Sequence, residues 1–184
     1  MRVALIRHPD TPCAAVAGIE AQVARSAGGA LTLSYAVTGA IRDLVLPPPG
    51  APARVDELWR STCFEAFVGA ASGEGYFEFN LAPSMQWAAY AFSGYRAGMR
   101  IASEIAQPRI DVRATPDRFD LTAALDLEAV ADLPAGAVWR IALSAVIEEA
   151  GGAKSYWALA HPPGRPDFHH ARAFALGLSP PERS

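Results

Sequence analysis

The sequence predicts an all-β fold: an antiparallel β-sandwich, jelly-roll-like, of about ten strands with minor helical turns. Three observations point there. Short runs alternate apolar and polar residues with a period of two, as strands do when one face is buried. Between those runs, Gly, Pro and Asp recur as turn residues at regular spacing. Finally, 51% of residues are hydrophobic and 19% charged, which supplies a core and argues against a disordered chain. At 184 residues, one domain spanning 1–184 is the natural expectation.

Taken in order, Arg2–Arg7 is a short apolar run that reads as a first strand and stops at His8-Pro9. The alanines of residues 13–27 would tolerate a helix. Yet Ile19, Ala21 and Val23 alternate with Glu20, Gln22 and Ala24 between glycines, so a strand is expected. Leu31, Leu33 and Tyr35 alternate with Thr32, Ser34 and Ala36 and complete a hairpin that Gly39 ends; Leu44–Leu46 adds a short piece. Pro47–Pro52 (PPPGAP) is excluded from helix and central strand and reads as a rigid crossover loop.

The central stretch, Asp56–Tyr95, organises the rest. In Cys63–Val68, a strand sends Phe64, Ala66 and Val68 to one face and Cys63, Glu65 and Phe67 to the other. Gly69–Gly75 (GAASGEG) is a turn. The next run puts Phe77, Phe79 and Leu81 on the core side and Tyr76, Glu78 and Asn80 opposite. Pro83-Ser84 ends it, and Trp87–Ser93 makes a third strand. Tyr95–Gln107 reads as loop with a short turn. Ile110–Arg113 and Phe119–Ala123 are strands joined by Thr115-Pro116-Asp117, and Asp126–Asp132 is expected to form one helical turn. Trp139, Ile141, Leu143, Ala145 and Ile147 alternate most cleanly, which places Trp139 in the core. Gly151-Gly152 then turns the chain into Ser155–Ala160. The tail HPPGRPDFHHARAF is a proline-interrupted loop before a last strand at Phe174–Leu178.

Composition also bounds function. A net charge of −3 with no Lys/Arg cluster argues against nucleic-acid binding. No stretch is long and apolar enough for a membrane span. The start, MRVALIRHPD, does not read as a signal peptide, so the cytoplasm is the expected compartment. Cys13 and Cys63 both sit in apolar settings, and buried free thiols are the favoured reading over a bridge. Oligomeric state is left open.

Glu65, Glu78 and Asn80 fall on one face of neighbouring strands. They can form a solvated face, with Arg60 or Arg96 as counter-ions. Trp59 just before them and Trp87 and Tyr90 just after them favour a ligand site. A sugar ring stacks its C–H face on aromatic rings and directs its hydroxyls to acids and amides. In SYWALA, Tyr156 and Trp157 point to opposite faces, and at least one is assigned to the site. Glu65 with Glu78 could serve as an acid–base pair in glycoside hydrolysis; binding of hydroxyls needs no separation of their pKa values and is the simpler role. His161, Asp167, His169 and His170 match no closed zinc spacing. His161 and His169 are instead expected to bond ligand or backbone at a site rim. Cys63 as a nucleophile is disfavoured by its apolar run.

The pattern LW…CFEAFV…GYFEFNLAPS…W..Y, with the later SYWALAHPPGRPDFHH, resembles the DOMON-like superfamily and, within it, the family 9 carbohydrate-binding modules. The resemblance runs from about Leu31 to Leu178. It implies a β-sandwich holding a ligand in a cleft, where two tryptophans sandwich a sugar and acids and amides hold its hydroxyls. By position, Trp59 and Glu65 fit that pattern, and Trp157 is the second aromatic wall. Other DOMON-like domains bind haem through a Met and a His; Met85, Met99 and the histidines offer no matched pair, so haem is a lesser option. A structural Ca²⁺ is left open, and no other cofactor is expected. The sugar modules usually sit in secreted, multidomain proteins, whereas this chain reads as free-standing, which favours a soluble saccharide or sugar-bearing metabolite. The expectation is thus a non-catalytic domain whose ligand-binding residues are Trp59, Glu65, Glu78, Asn80, Trp87, Trp157, His161 and His169. A small glycoside-processing enzyme and a protein-interaction module are the alternatives.

Overall fold

The computed structural model describes residues 1–181. Its strands are β1 (Arg2–Arg7), β2 (Val16–Arg25), β3 (Ala30–Gly39), β4 (Cys63–Ala70), β5 (Tyr76–Leu81), β6 (Trp87–Phe92), β7 (Arg100–Ile101), β8 (Arg109–Ala114), β9 (Arg118–Asp126), β10 (Trp139–Glu148), β11 (Lys154–Ala158) and β12 (Leu176–Leu178). They form one curled antiparallel sheet in the order β7-β6-β5-β4-β10-β11-β1-β2-β3-β9-β8. β12 lies against Trp139–Ile141 of β10, beyond the end of β11. The all-β expectation holds, and the helical content is three single 3-10 turns.

The sheet folds over at β1. Arg2–Leu5 pair with Gln22–Ile19 of β2, whereas Ile6 and Arg7 pair with Ala158 and Trp157 of β11. One strand thereby belongs to both layers, and the inner faces close on each other. Phe64 stacks on Phe119 across the layers at 5.7 Å, and the Tyr35 hydroxyl donates to the Glu65 carbonyl at 2.7 Å inside the core. Phe64, Phe79, Leu33, Leu121, Trp139 and Ile141 are all but fully buried there. Each such side chain contributes about 1.5–3 kcal/mol on burial.

Burial differs between the layers. β2 and β9 alternate buried and exposed residues, as a sheet with one wet face should. β5 and β6 are buried at every position, and β4 at all but its last. Their second face is therefore not solvated. It carries its own cluster of Phe67, Tyr76, Tyr90, Phe92 and Val146, covered by Phe168, Ala173 and Phe174 from the tail.

Local expectations are corrected in places. Asp126–Asp132 is not a helical turn: β9 runs to Asp126, and linked turns follow, with Val130 N–H on the Leu127 carbonyl and Leu133 N–H on that of Val130. They drive Leu127, Val130 and Leu133 into the core. The loop 95–107 holds the two-residue strand β7 on the edge of β6. Leu44 makes a single bridge to Glu149. Both cysteines are free, but Cys13 is only half-buried. Gly39 has φ +143°, and a Cβ there would run into the Ala15 carbonyl, so the β2–β3 end depends on glycine.

Candidate functional site

The second face of β4, β5, β6, β10 and β11 carries the chemistry. Strand register decides what meets there. Glu65 of β4 stands opposite Asn80 of β5 and Ser144 of β10, while Glu78 stands between Phe67 of β4 and Tyr90 of β6. The two acids are thus diagonal neighbours on adjacent strands, at the bottom of a cleft of about 380 Å³. Its walls come from elsewhere in the chain. A positive φ of 62° at Glu57 starts the 3-10 turn Leu58–Arg60, which swings Trp59 over the sheet to meet the Tyr90 ring edge-on at 6.0 Å. The turn closed by Ala97 N–H on the Gly94 carbonyl brings Arg96 and Met99 to the rim. The tail supplies Pro166, Phe168 and His169, with Phe168 beside Tyr156 at 6.1 Å.

The acids are held differently. Glu65 is 3% exposed and receives one hydrogen bond from a side chain, Ser144 Oγ to Oε2 at 3.3 Å. Burial, and then the nearby Glu78, push its carboxyl well above the usual carboxylate range. Burial also raises Glu78, but Asn80 Nδ2 donates to its Oε1 at 2.7 Å and limits the rise. Neither expected counter-ion forms an ion pair with the acids, although the charge of Arg96 on the same cleft lowers both carboxyls somewhat. Arg60 pairs with Glu57, and Arg96 Nη2 pairs with Asp167 Oδ1 at 2.8 Å.

His169 Nε2 lies 3.6 Å from Glu78 Oε2. Packed among Phe67, Tyr76 and Phe92, the ring is pushed down to about 4 by burial and then by Arg96, so at neutral pH this contact is not an ion pair. The Tyr76 hydroxyl accepts from Arg96 N–H at 3.2 Å and lies 2.8 Å from His169 Nδ1. Either atom of that pair can be the donor; in the tautomer where Nδ1 accepts the hydroxyl proton, the imidazole proton sits on Nε2, facing Glu78. Tyr90 donates to Asp56 Oδ1 at 2.8 Å, which fixes the phenol that backs Trp59.

Four of the residues expected at the site, Trp59, Glu65, Glu78 and His169, line this cleft together. Asn80 lies beneath it, fully buried, with its amide spent on Glu78. Trp87 and Trp157 do not reach it. Trp87 stands opposite Leu81 on the core side, under the Arg54 guanidinium at 4.1 Å. Trp157 pairs with Ala145, whose face is the core, so the strand turns Tyr156 toward the cleft instead. His161 is also elsewhere: its Nε2 bonds the Ile6 carbonyl at 2.8 Å and its ring meets His8 edge-on. Two further wall residues, Phe92 and Val146, were readable from alternation; Arg96, Met99, Pro166 and Phe168 sit on loops, where no period marks them.

The tail histidines and Asp167 do not converge on a metal. Asp167 is taken by Arg96 and Tyr95, His170 Nδ1 by Arg172 N–H, and His161 by Ile6. Among the described residues no three His, Cys, Asp or Glu side chains group as metal ligands. Cys63, fully buried with its thiol pushed up by burial, is unsuited to nucleophilic attack.

No protein-family model matches the chain, and no curated protein matches it. Solved structures do. One is a candidate carbohydrate-binding protein from Bacteroides uniformis, with a TM-score of 0.62 and 16% identity over 97% of this chain and 85% of that one. Another is a family 9 carbohydrate-binding module from Caldicellulosiruptor kristjanssonii in complex with glucose, with a TM-score of 0.56 and 10% identity over 91% and 78%. The chain is similar to both in fold. At such identities the likeness concerns the path of the backbone and not the side chains of the cleft.

Proposed function

We propose that this domain binds a carbohydrate or sugar-bearing small molecule, without catalysis, in the cleft above Glu65 and Glu78. The observation that carries the reading is the pairing of an acid floor with aromatic walls. Trp59, Tyr90, Phe92, Tyr156 and Phe168 offer ring faces and edges, while Glu65, Glu78 and Arg96 offer hydrogen-bonding groups for hydroxyls. The volume of about 380 Å³ suits one or two sugar rings. Support also comes from the neighbours in fold, one of them holding glucose. We further read the chain as DOMON-like, on the motifs around Trp59, Glu65 and Glu78-x-Asn80. Calorimetric titration against mono- and disaccharides tests the function directly. Binding of at least one sugar, weakened by Trp59→Ala at unchanged fold, is expected. Silence across the panel would overturn it.

One observation favours a second reading. The two carboxyls sit in unequal settings, Glu65 enclosed and Glu78 hydrogen-bonded by an amide, and an acid–base pair needs such inequality. Hydrolysis of chromogenic glycosides, abolished by Glu65→Gln, would favour it; no turnover would dismiss it.

A further inference from the structure

The charge balance of the cleft narrows the ligand class. Its lining holds two acids, Glu65 and Glu78, each more than nine-tenths buried. A third, Asp56, stands behind the wall on the Tyr90 hydroxyl. Against them the lining offers two basic side chains. Arg96 is bound to Asp167 at 2.8 Å, and His169 is neutral at ordinary pH, held between Tyr76 and Glu78. Among the described residues, Glu65 Oε2 takes the Ser144 hydroxyl and Oε1 has no hydrogen-bond partner. The Glu65 side chain lines the cleft. Solvated surface acids would be unremarkable; a buried carboxyl with a free oxygen, lining an aromatic-walled hollow, is a built acceptor. The rings around it present negative faces, which attract cations over neutral groups of the same shape.

We infer that the cleft selects a ligand bearing a positive charge, a protonated amine or quaternary ammonium on a sugar ring or short carbon skeleton, as an amino sugar does. This rests on the cleft being the ligand site, as proposed above. In the free protein burial and then Glu78 oppose the charge of Glu65 and hold its carboxyl well above the usual carboxylate range. When the cation enters, the carboxyl O–H bond breaks, the proton leaves to solvent, and the carboxylate pairs with the bound charge. No other bond changes. Binding and proton release are therefore linked: affinity for the cation climbs with pH until Glu65 is already ionised in the free protein, then levels off.

The experiment is calorimetric titration of the intact chain with two matched pairs, glucosamine against glucose and choline against 3,3-dimethyl-1-butanol. Each is run in two buffers of different ionisation heat, which counts the protons released. The expected result is binding of a cationic probe about tenfold or more tighter than its neutral partner, with net proton release on binding choline. Glu65→Gln, with its fold checked by circular dichroism, should abolish both the preference and the proton release. Equal affinity for glucosamine and glucose, with no proton released, overturns the inference and leaves the carbohydrate reading standing. Choline preferred over its isostere while neither sugar binds supports the inference and, with silence across the wider saccharide panel, overturns the carbohydrate reading. Failure of all four probes to bind overturns the inference, and the carbohydrate reading then falls only if the wider panel of mono- and disaccharides is silent too.

Discussion

Replacing Glu65 by Gln should make the protein more stable at alkaline pH. The carboxyl is 3% exposed and sits well above its usual range, first through burial and then through Glu78. A group whose folded pKa is raised binds more protons in the native than in the unfolded state between the two values. Its contribution to stability therefore falls as pH rises from about 4.5 through the folded pKa, and it is flat beyond. The slope is about 1.4 kcal/mol per pH unit for one fully titrating proton, which for a chain of this length is roughly 3–6 °C in melting temperature. His169 works the other way. Its pKa is depressed to about 4, so stability rises with pH from there to the unfolded value of 6.5, a gain of about 3 kcal/mol. The two slopes oppose each other below pH 6.5, and above it the histidine is silent. Subtracting the melting temperature of the wild type from that of Glu65→Gln cancels the histidine, since both proteins carry it. Melts followed by circular dichroism at half-unit steps from pH 5 to 9 should give a difference that grows with pH and then levels off. A constant difference, or a variant that melts lower than wild type at pH 8, would refute the assignment of Glu65 as a buried acid with a raised pKa.

Three other substitutions test two walls of the cleft and one turn of the other layer. Phe168→Ala empties a buried position between the tail and Tyr156, and should cost about 3 kcal/mol, or roughly 6–12 °C by differential scanning calorimetry. Trp59→Ala, at a residue 38% exposed, should cost less than about 1 kcal/mol in the same measurement while weakening ligand binding. Gly39→Ala forces a side chain into a φ of +143° beside the Ala15 carbonyl; urea denaturation should show a loss of about 1–3 kcal/mol or more.

Much of this architecture could be read from alternation alone, because a strand buried on one side announces its period. The faces of Cys63–Val68 and Phe77–Leu81 followed directly, and with them the meeting of Glu65 and Glu78. Period does not say what lies above a face. Glu78 and Asn80 mark the second face of β5 as polar but not as covered, and a tail some ninety residues later folds back over it, as the contact from Tyr76 to His169 records. Trp157 faces the core and not the cleft, for a narrower reason. A tryptophan beside a tyrosine on one strand leaves two choices, and only register with Ala145 decides that the indole goes inward. That signal existed in the clean alternation of Trp139–Ile147, which marks Ala145 as core. Arg96 and Phe168 offered none, since loops place side chains by turns and long-range packing rather than by period.

The shared strand β1 has a consequence for how the chain is made. Its first four residues find their neighbour within the opening hairpin, but Ile6 waits for Ala158, more than a hundred and fifty positions later. Emerging from a ribosome, the early half can zip β1–β3 and β4–β6, but each set keeps a bare edge until β9 joins β3 and β10 joins β4. Closure comes late and depends on contacts far apart along the chain, which makes for slow maturation and a long window in which a chaperone is useful.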